Sequence, residues 1–359
     1  MHKKNWDIFC KVVDNFSDIG VCWRLAQQLS YTHHISVRLW VDDLQVALRL
    51  IPTLNLALPT QMIAGIEIAH WHDHADFSQA AAVLIEAFSC GLPAPYQHAM
   101  QAHSSQWINL EYLSAESWVE NFHQKPSPQQ NGLTRYFYFP GFTNKTGGVL
   151  NFGYHPIRPV FSHPEPPTLK LSLFCYPHAP IRQLLDAIAN GDAPVHCYIP
   201  NTSTLNHVAH YFGRTHLEVG QIVESGRLTV EVLPFLSQAE YDGLLAHCDI
   251  NFVRGEDSWV RAIWANKPFI WQPYLQEDNA HIEKLNAFLK QFYASATTET
   301  FSAIQDMHHQ WASEDITTEV WLAYLAQLEA VKLQTQSANQ ALQQQPDLAS
   351  KLVIFCNNL

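Results

Sequence analysis

Positive charge is scarce in this chain: 21 Lys and Arg stand against 33 Asp and Glu, a formal net charge of −12. A surface that grips nucleic-acid phosphates needs clustered Lys and Arg, so binding to bulk DNA or RNA is not expected. Long apolar runs are missing too. None reaches the roughly 18–20 residues of a membrane span, so no membrane partner is expected. The opening MHKKNWDIFC is too short and too polar for a signal peptide. The seven cysteines (Cys10, Cys22, Cys90, Cys175, Cys197, Cys248 and Cys356) include no CxxC and are odd in number. That usage reads as reduced, buried thiols in a cytoplasmic protein. No GxGxxG follows an expected strand, and neither a P-loop nor a GxSxG elbow occurs. A conventional dinucleotide site, a Walker-type phosphate cradle and a serine-hydrolase nucleophile are thereby set aside.

What is present is enough apolar material for two cores: 359 residues, 47% of them hydrophobic. DIFCKVV reads as a buried parallel strand, and VCWRLAQQLS has helical spacing with Val21, Leu25 and Leu29 on one stripe. ISVRLWV, IEIAHW, AVLIEAF, QWINLEY and RYFYFPG continue the strand signals, with helices or loops between them. Such alternation predicts a parallel sheet covered on both faces. Prolines then crowd HPIRPVFSHPEPPTLK, where neither helix nor strand tolerates them. The pattern restarts at LSLFCY and alternates as far as KPFIWQ. The expected organisation is an N-terminal domain over 1–155, a linker over 156–168, a second domain over 169–335, and a tail over 336–359 packing back toward the first domain. The Gln-rich QTQSANQALQQQPDLAS is expected as an exposed turn or frayed helix end.

Two loops carry the candidate chemistry. VVDNFSDIG, after the first strand, holds Asp14 and Asp18, four residues apart. Asp18 would cap a helix starting near Gly20, and Asp14 would form the turn after the strand. An α/β sheet also puts its ligands at this end of its strands, where one member of a carboxylate pair can stay ionised as a base. VRGEDSW joins a buried strand to a helix, with Asp257 and Ser258 in the first turn and Arg254 beside it. Free N–H groups there make an anion site suited to a diphosphate, although an ordinary cap with an Arg–Asp pair fits the same letters. Upstream, Phe235 could stack on a base or fill core, and Gln238 could bond a base edge. His70, His72 and His74 would share one face of a strand, but read as a polar strand end rather than a metal site.

IFCKVVDNFSDIGVCWRLAQQL closely resembles the start of the EarP family, rhamnosyltransferases that modify an arginine of bacterial translation elongation factor P. The likeness continues through LIEAFSCGLP, FYFPGFTNKTGG, LSLFCYPHAP, LPFLSQAEYDGLLAHCDINFVRGEDSWVRAIWANKPFIWQ and EDNAHIEKLNAF, in order and over most of the chain. The resemblance implies a GT-B type fold, with two Rossmann-like doubly wound domains facing each other across a cleft. It implies L-rhamnose transfer from TDP-β-L-rhamnose to a guanidinium nitrogen with inversion, without a metal or other cofactor. Asp18 then matches the general base, Asp14 its support and Glu256 a residue important to turnover. Phe235 and Gln238, with Phe174 and Tyr176 nearby, match the thymine site; Arg254, Gly255, Asp257 and Ser258 match the diphosphate region. The chain departs from the family where an apolar pair is usually followed by Arg-Glu: here Asn151 and Phe152 stand instead. Any acceptor contact from those two positions is thereby put in doubt. A glycosyltransferase with another acceptor, or an inactive nucleotide-sugar-binding partner protein, is the alternative reading.

Overall fold

A computed structural model describes residues 5–14, 16–153, 164, 167–313 and 315–359. Its contacts divide the chain into two compact units, Met1–Gly153 with Leu342–Leu359, and Tyr154–Ala341. The linker expected over 156–168 falls mostly outside the described residues, Pro156, Pro159 and Pro166 among them.

The first unit opens with β1 (Asn5–Cys10), α1 (Phe16–Tyr31), β2 (Ser36–Val41), α2 (Leu44–Leu50), β3 (Thr60–Ile63) and β4 (Ile66–His70). It continues with β5 (Val83–Ala87), α3 (Ala94–His103), β6 (Gln106–Leu110), α4 (Val119–Phe122), β7 (Pro126–Pro128) and β8 (Thr134–Tyr138). The sheet order is β3-β4-β2-β1-β5-β6-β8-β7. It is parallel apart from its edge strands β3 and β7, which pair antiparallel and were not foreseen from the sequence. The chain leaves β1 toward β2 on one side and returns to β5 on the other. The order therefore reverses between β1 and β5, and the loops after those strands flank a crevice where α/β sheets bind ligands.

Buried aromatics set this scaffold. Phe9 on β1 packs with Trp40, Phe77, Tyr96 and Trp107, each such side chain contributing roughly 1.5–3 kcal/mol by burial. The one charge on β1, Asp7, is 1% exposed. It accepts from Arg38 at 2.6 Å, Tyr96 Oη at 2.7 Å and Trp40 Nε1 at 3.3 Å, which satisfies a carboxylate that burial alone would not permit.

The second unit comprises β9 (Leu169–Leu173), α5 (Ile181–Ala189), β10 (Val195–Pro200), α6 (Leu205–Tyr211), β11 (Ile222–Ser225), β12 (Leu228–Leu233) and α7 (Gln238–His247). After these come β13 (Ile250–Arg254), α8 (Asp257–Ala265), β14 (Phe269–Gln272), α9 (Ala280–Phe292), α10 (Thr298–Ala312), α11 (Thr318–Ala326) and α12 (Leu328–Gln343). Its sheet runs β11-β12-β10-β9-β13-β14, parallel except for β11. Here the order reverses between β9 and β13, so the loops at Phe174–Tyr176 and Arg254–Ser258 flank the corresponding crevice.

The Gln-rich stretch corrects the sequence reading. Gln334–Gln343 is the second half of α12, with Thr335 and Asn339 buried on one face. Gln, Ala and Leu favour a helix once a face is covered, and Asn339 Nδ2 bonds the Ile263 carbonyl at 2.5 Å. The chain turns only after Gln343. α13 (Leu348–Asn358) then lies in the first unit, where Gln106 Nε2 bonds Cys356 O at 3.0 Å and Lys351 Nζ bonds Thr146 O at 2.8 Å.

A buried ion pair ties α7 to α8: Arg261 reaches both oxygens of Asp242, at 3.0 and 2.7 Å, with the side chains 0% and 3% exposed. Removing one partner strands the other charge in the core. Asp242→Ala is expected to cost about 3–5 kcal/mol in denaturant unfolding; a loss below about 1 kcal/mol would mean that solvent reaches Arg261.

The second unit also carries an acid sensitivity. His308 on α10 is fully buried, with Nδ1 2.8 Å from the Ile304 carbonyl; a carbonyl only accepts, so Nδ1 holds the proton. Burial lowers its pKa to about 4. In the first unit, burial, and secondarily the charge of Lys351, lower His123 to about 4 as well. An unfolded imidazole takes up its proton near pH 6.5. Below that the unfolded chain binds more protons, so stability falls as pH drops from about 6.5 toward 4. Thermal midpoints between pH 7 and 4.5 should show this decline, and His308→Leu should make it shallower. A decline of unchanged steepness in that variant would contradict the assignment.

Candidate active site

In the first unit, the loop after β1 is held from both sides. Val12 N–H bonds Asp42 Oδ1 at the end of β2 (2.9 Å), and Ser17 N–H bonds the Asp14 carbonyl (2.9 Å). That turn starts α1 at Phe16, earlier than the expected start near Gly20, so Asp18 lies inside the first helical turn. Instead of capping forward, its side chain reaches back. Asp18 Oδ2 accepts the N–H groups of Val13 and Asp14, both at 2.8 Å, and Oδ1 accepts from Tyr112 Oη at 3.0 Å. Asp18 is 1% exposed, while Asp14 is half-buried and Val13 stands out from the loop. The fold thus brings Asp14 and Asp18 together through the backbone N–H of one and the carboxylate of the other. The helix N-terminus favours their negative charge.

Beside them, the loop after β5 takes an uncommon path. Phe88 and Ser89 both have left-handed backbones, φ 56° and 53°, at a cost of order 1–2 kcal/mol each. The ring of Phe88 lies flat on Tyr112, 4.1 Å between centroids and 7° between planes. Ser89 Oγ bonds Glu111 Oε1 at 3.1 Å, and Asn109 Nδ2 bonds Ser89 Oγ at 2.9 Å. Burial raises the Glu111 carboxyl pKa, against the lowering effect of Ser89 and Asn109. Neither Phe88 nor Tyr112 was singled out from the sequence. The available signal was topological: both follow strands at the carboxyl edge of the sheet, next to the switch point.

In the second unit, β13 ends at Arg254 and Gly255 turns the chain with φ 59°, a conformation that suits glycine. Gly255 N–H bonds the Gln272 carbonyl at 3.2 Å, and its own carbonyl accepts from Trp271 Nε1 at 2.8 Å. Ser258 Oγ accepts from Arg254 N at 3.1 Å and its hydroxyl donates to Arg254 O, closing the loop on itself. The Arg254 guanidinium lies between two rings, 4.6 Å from Phe174 and 4.5 Å from Tyr176. Gln272 Oε1 fixes this arrangement by accepting from Tyr176 N at 2.8 Å. Phe174 and Tyr176, which the resemblance groups near the base, thus hold the Arg254 guanidinium between them. Gln238 Nε2 bonds Asp257 Oδ2 at 3.2 Å, joining the start of α7 to the start of α8. Phe235 is half-buried in the loop before α7, and Glu256, 8% exposed, occupies the N-cap of α8.

The histidine rings meet at steep angles, with 4.9 Å between His70 and His72 and 6.4 Å between His72 and His74. Among the described residues no group of three or more His, Cys, Asp or Glu is arranged to hold a metal ion. No described helix is long and apolar enough to cross a membrane. The departing pair has structural roles: Asn151 O accepts from Gln28 Nε2 at 3.3 Å, and Phe152 stacks on Tyr31 at 6.0 Å. Both positions bind the end of this segment to α1.

A family model described as Elongation-Factor P (EF-P) rhamnosyltransferase EarP matches residues 6–153 and 157–357. This chain belongs to the EarP family. A protein-arginine rhamnosyltransferase of Pseudomonas putida is 42% identical, the match covering 99% of each chain. One from Pseudomonas aeruginosa is 37% identical over 98% of each. A solved structure described as the structural basis for EarP-mediated arginine glycosylation of translation elongation factor EF-P is 30% identical over 99% of both chains, with a TM-score of 0.70. The glycosyltransferase VinC, at 12% identity and a TM-score of 0.52, shares the fold. Membership makes the chain an enzyme of the protein-arginine rhamnosyltransferase class with a GT-B fold.

Proposed function

We propose that this EarP protein moves L-rhamnose from TDP-β-L-rhamnose to an arginine side chain of elongation factor P, inverting the anomeric centre without a metal, with Asp18 as the base. The observation that carries this reading is the coordination of Asp18: one oxygen is saturated by two backbone N–H groups, which leaves the other as the reactive one. A guanidinium is a weak nucleophile because its pKa exceeds about 12 and its lone pairs are delocalised. A fixed carboxylate that orients it and accepts its proton as the C–N bond forms removes both handicaps. Asp14 supports the guanidinium from the same loop.

On the donor side, the sugar–oxygen bond breaks and a nucleoside diphosphate departs. Arg254, held between Phe174 and Tyr176, and the backbone N–H groups at the start of α8 would take up its charge. Gly255 lets the backbone come close, and Asp257 and Ser258 shape that terminus. Phe235 and Gln238 read the thymine, and Glu256 positions the sugar. A translation factor as acceptor puts the reaction in the cytoplasm. Incubation with elongation factor P and TDP-β-L-rhamnose should add one deoxyhexose, read by intact mass and localised to an arginine by fragmentation. Transfer to free arginine or a glycan in preference to the protein would favour the other-acceptor reading, and tight donor binding without transfer would favour an inactive partner.

A further inference from the structure

We infer that Tyr112 is a positioning residue for the reaction, directing Asp18 through its hydroxyl, and that the Phe88 ring is the platform that holds it. The inference rests on the reading of Asp18 as the base. Tyr112 Oη is 3.0 Å from Asp18 Oδ1, the oxygen that the loop backbone does not engage. A carboxylate anchored at Oδ2 alone can still pivot about that oxygen through coupled changes of its side-chain torsions, which swing Oδ1. The phenol hydroxyl removes that freedom and leaves one direction at Oδ1 for an incoming N–H.

The platform is built rather than incidental. The backbone at Phe88 and Ser89 is twisted into the left-handed region, and Phe88 N–H bonds the Leu110 carbonyl at 2.7 Å. The side chain of Ser89 is tied to Asn109 and Glu111, so the turn is fixed on the strand that carries Tyr112. Two adjacent non-glycine residues with strained backbone persist only where surrounding contacts over-determine them. What they secure is a coplanar stack of Phe88 on Tyr112.

The test is Tyr112→Phe, which keeps the ring on its platform and deletes only the hydroxyl, compared with Phe88→Ala and Asp18→Asn in the full-length enzyme. For Tyr112→Phe, kcat should fall about 10- to 100-fold, as expected for one charge-assisted bond to the base. The KM values for donor and acceptor should stay within about twofold, with an unchanged thermal midpoint. Phe88→Ala should give a smaller loss of kcat in the same direction. A purely structural tyrosine would lower the thermal midpoint and leave kcat alone, and that result would overturn the inference. So would a raised acceptor KM at constant kcat, which makes Tyr112 an acceptor contact, or a raised kcat, which makes it a lid. An active Asp18→Asn removes the base reading itself. An inactive Asp18→Asn beside a fully active Tyr112→Phe removes only the inference.

Discussion

Replacing Asp18 by Asn should lower transfer to elongation factor P by about 10²- to 10⁴-fold, the usual contribution of a positioned general base. Folding should be spared. The amide oxygen can accept the Val13 and Asp14 N–H groups as Oδ2 does, and the amide nitrogen can face the Tyr112 hydroxyl oxygen. Donor binding should also persist, because Arg254 and the start of α8 belong to the second compact unit and are untouched. The signature is therefore a loss of kcat with an unchanged donor KM and thermal midpoint. Full activity in this variant would return Asp18 to an architectural role, tying the loop after β1 to the first turn of α1. Asp14→Asn should be milder, because that side chain is half-buried and the proposed role gives it the guanidinium rather than its proton.

The second large effect is expected at Arg254. Lysine keeps the charge but cannot lie as a plane between Phe174 and Tyr176, whose rings sit 4.6 and 4.5 Å from the guanidinium carbon. A desolvated cation–π contact is worth about 2 kcal/mol, and a fork that binds phosphate oxygens in pairs is lost as well. Arg254→Lys should raise the donor KM by about 10- to 100-fold with a smaller change in kcat, measured by steady-state kinetics at saturating acceptor. Tyr176→Leu should reproduce part of that rise through loss of one face of the clamp. An unchanged donor KM in both variants would mean that the clamp only serves the fold.

Much of this was legible in the letters, for identifiable reasons. DIFC and INFVR are short, mostly apolar runs of the kind that forms a buried parallel strand, so the loops after them could be placed at the ligand edge. Asp14, Asp18 and the Arg254–Ser258 loop become candidates that way. The contacts that give those residues their geometry were hidden because they join distant segments. Tyr112 reaches Asp18 across 94 positions of sequence, and nothing local in QWINLEY marks its last residue as functional. The resemblance groups Phe174 and Tyr176 near a base, but only the register of β9 beside β13 shows that both also lie against Arg254. The start of α1 was misplaced because a glycine resembles a boundary, whereas the bond from Ser17 N–H to the Asp14 carbonyl sets it earlier. The Gln-rich half of α12 reads as an exposed turn or frayed helix end because its composition is mostly polar, and only its buried Thr335 and Asn339 show that one face is covered.

The configuration of the sugar on arginine tests the role of Asp18 most directly. A base that takes the guanidinium proton during one in-line displacement turns the β-linked rhamnose of the donor into an α-linked rhamnosyl-arginine. NMR of the modified acceptor peptide should show the α linkage in the first product formed. A β linkage would require two displacements, with a carboxylate attacking the sugar as nucleophile, and would contradict Asp18 as the base.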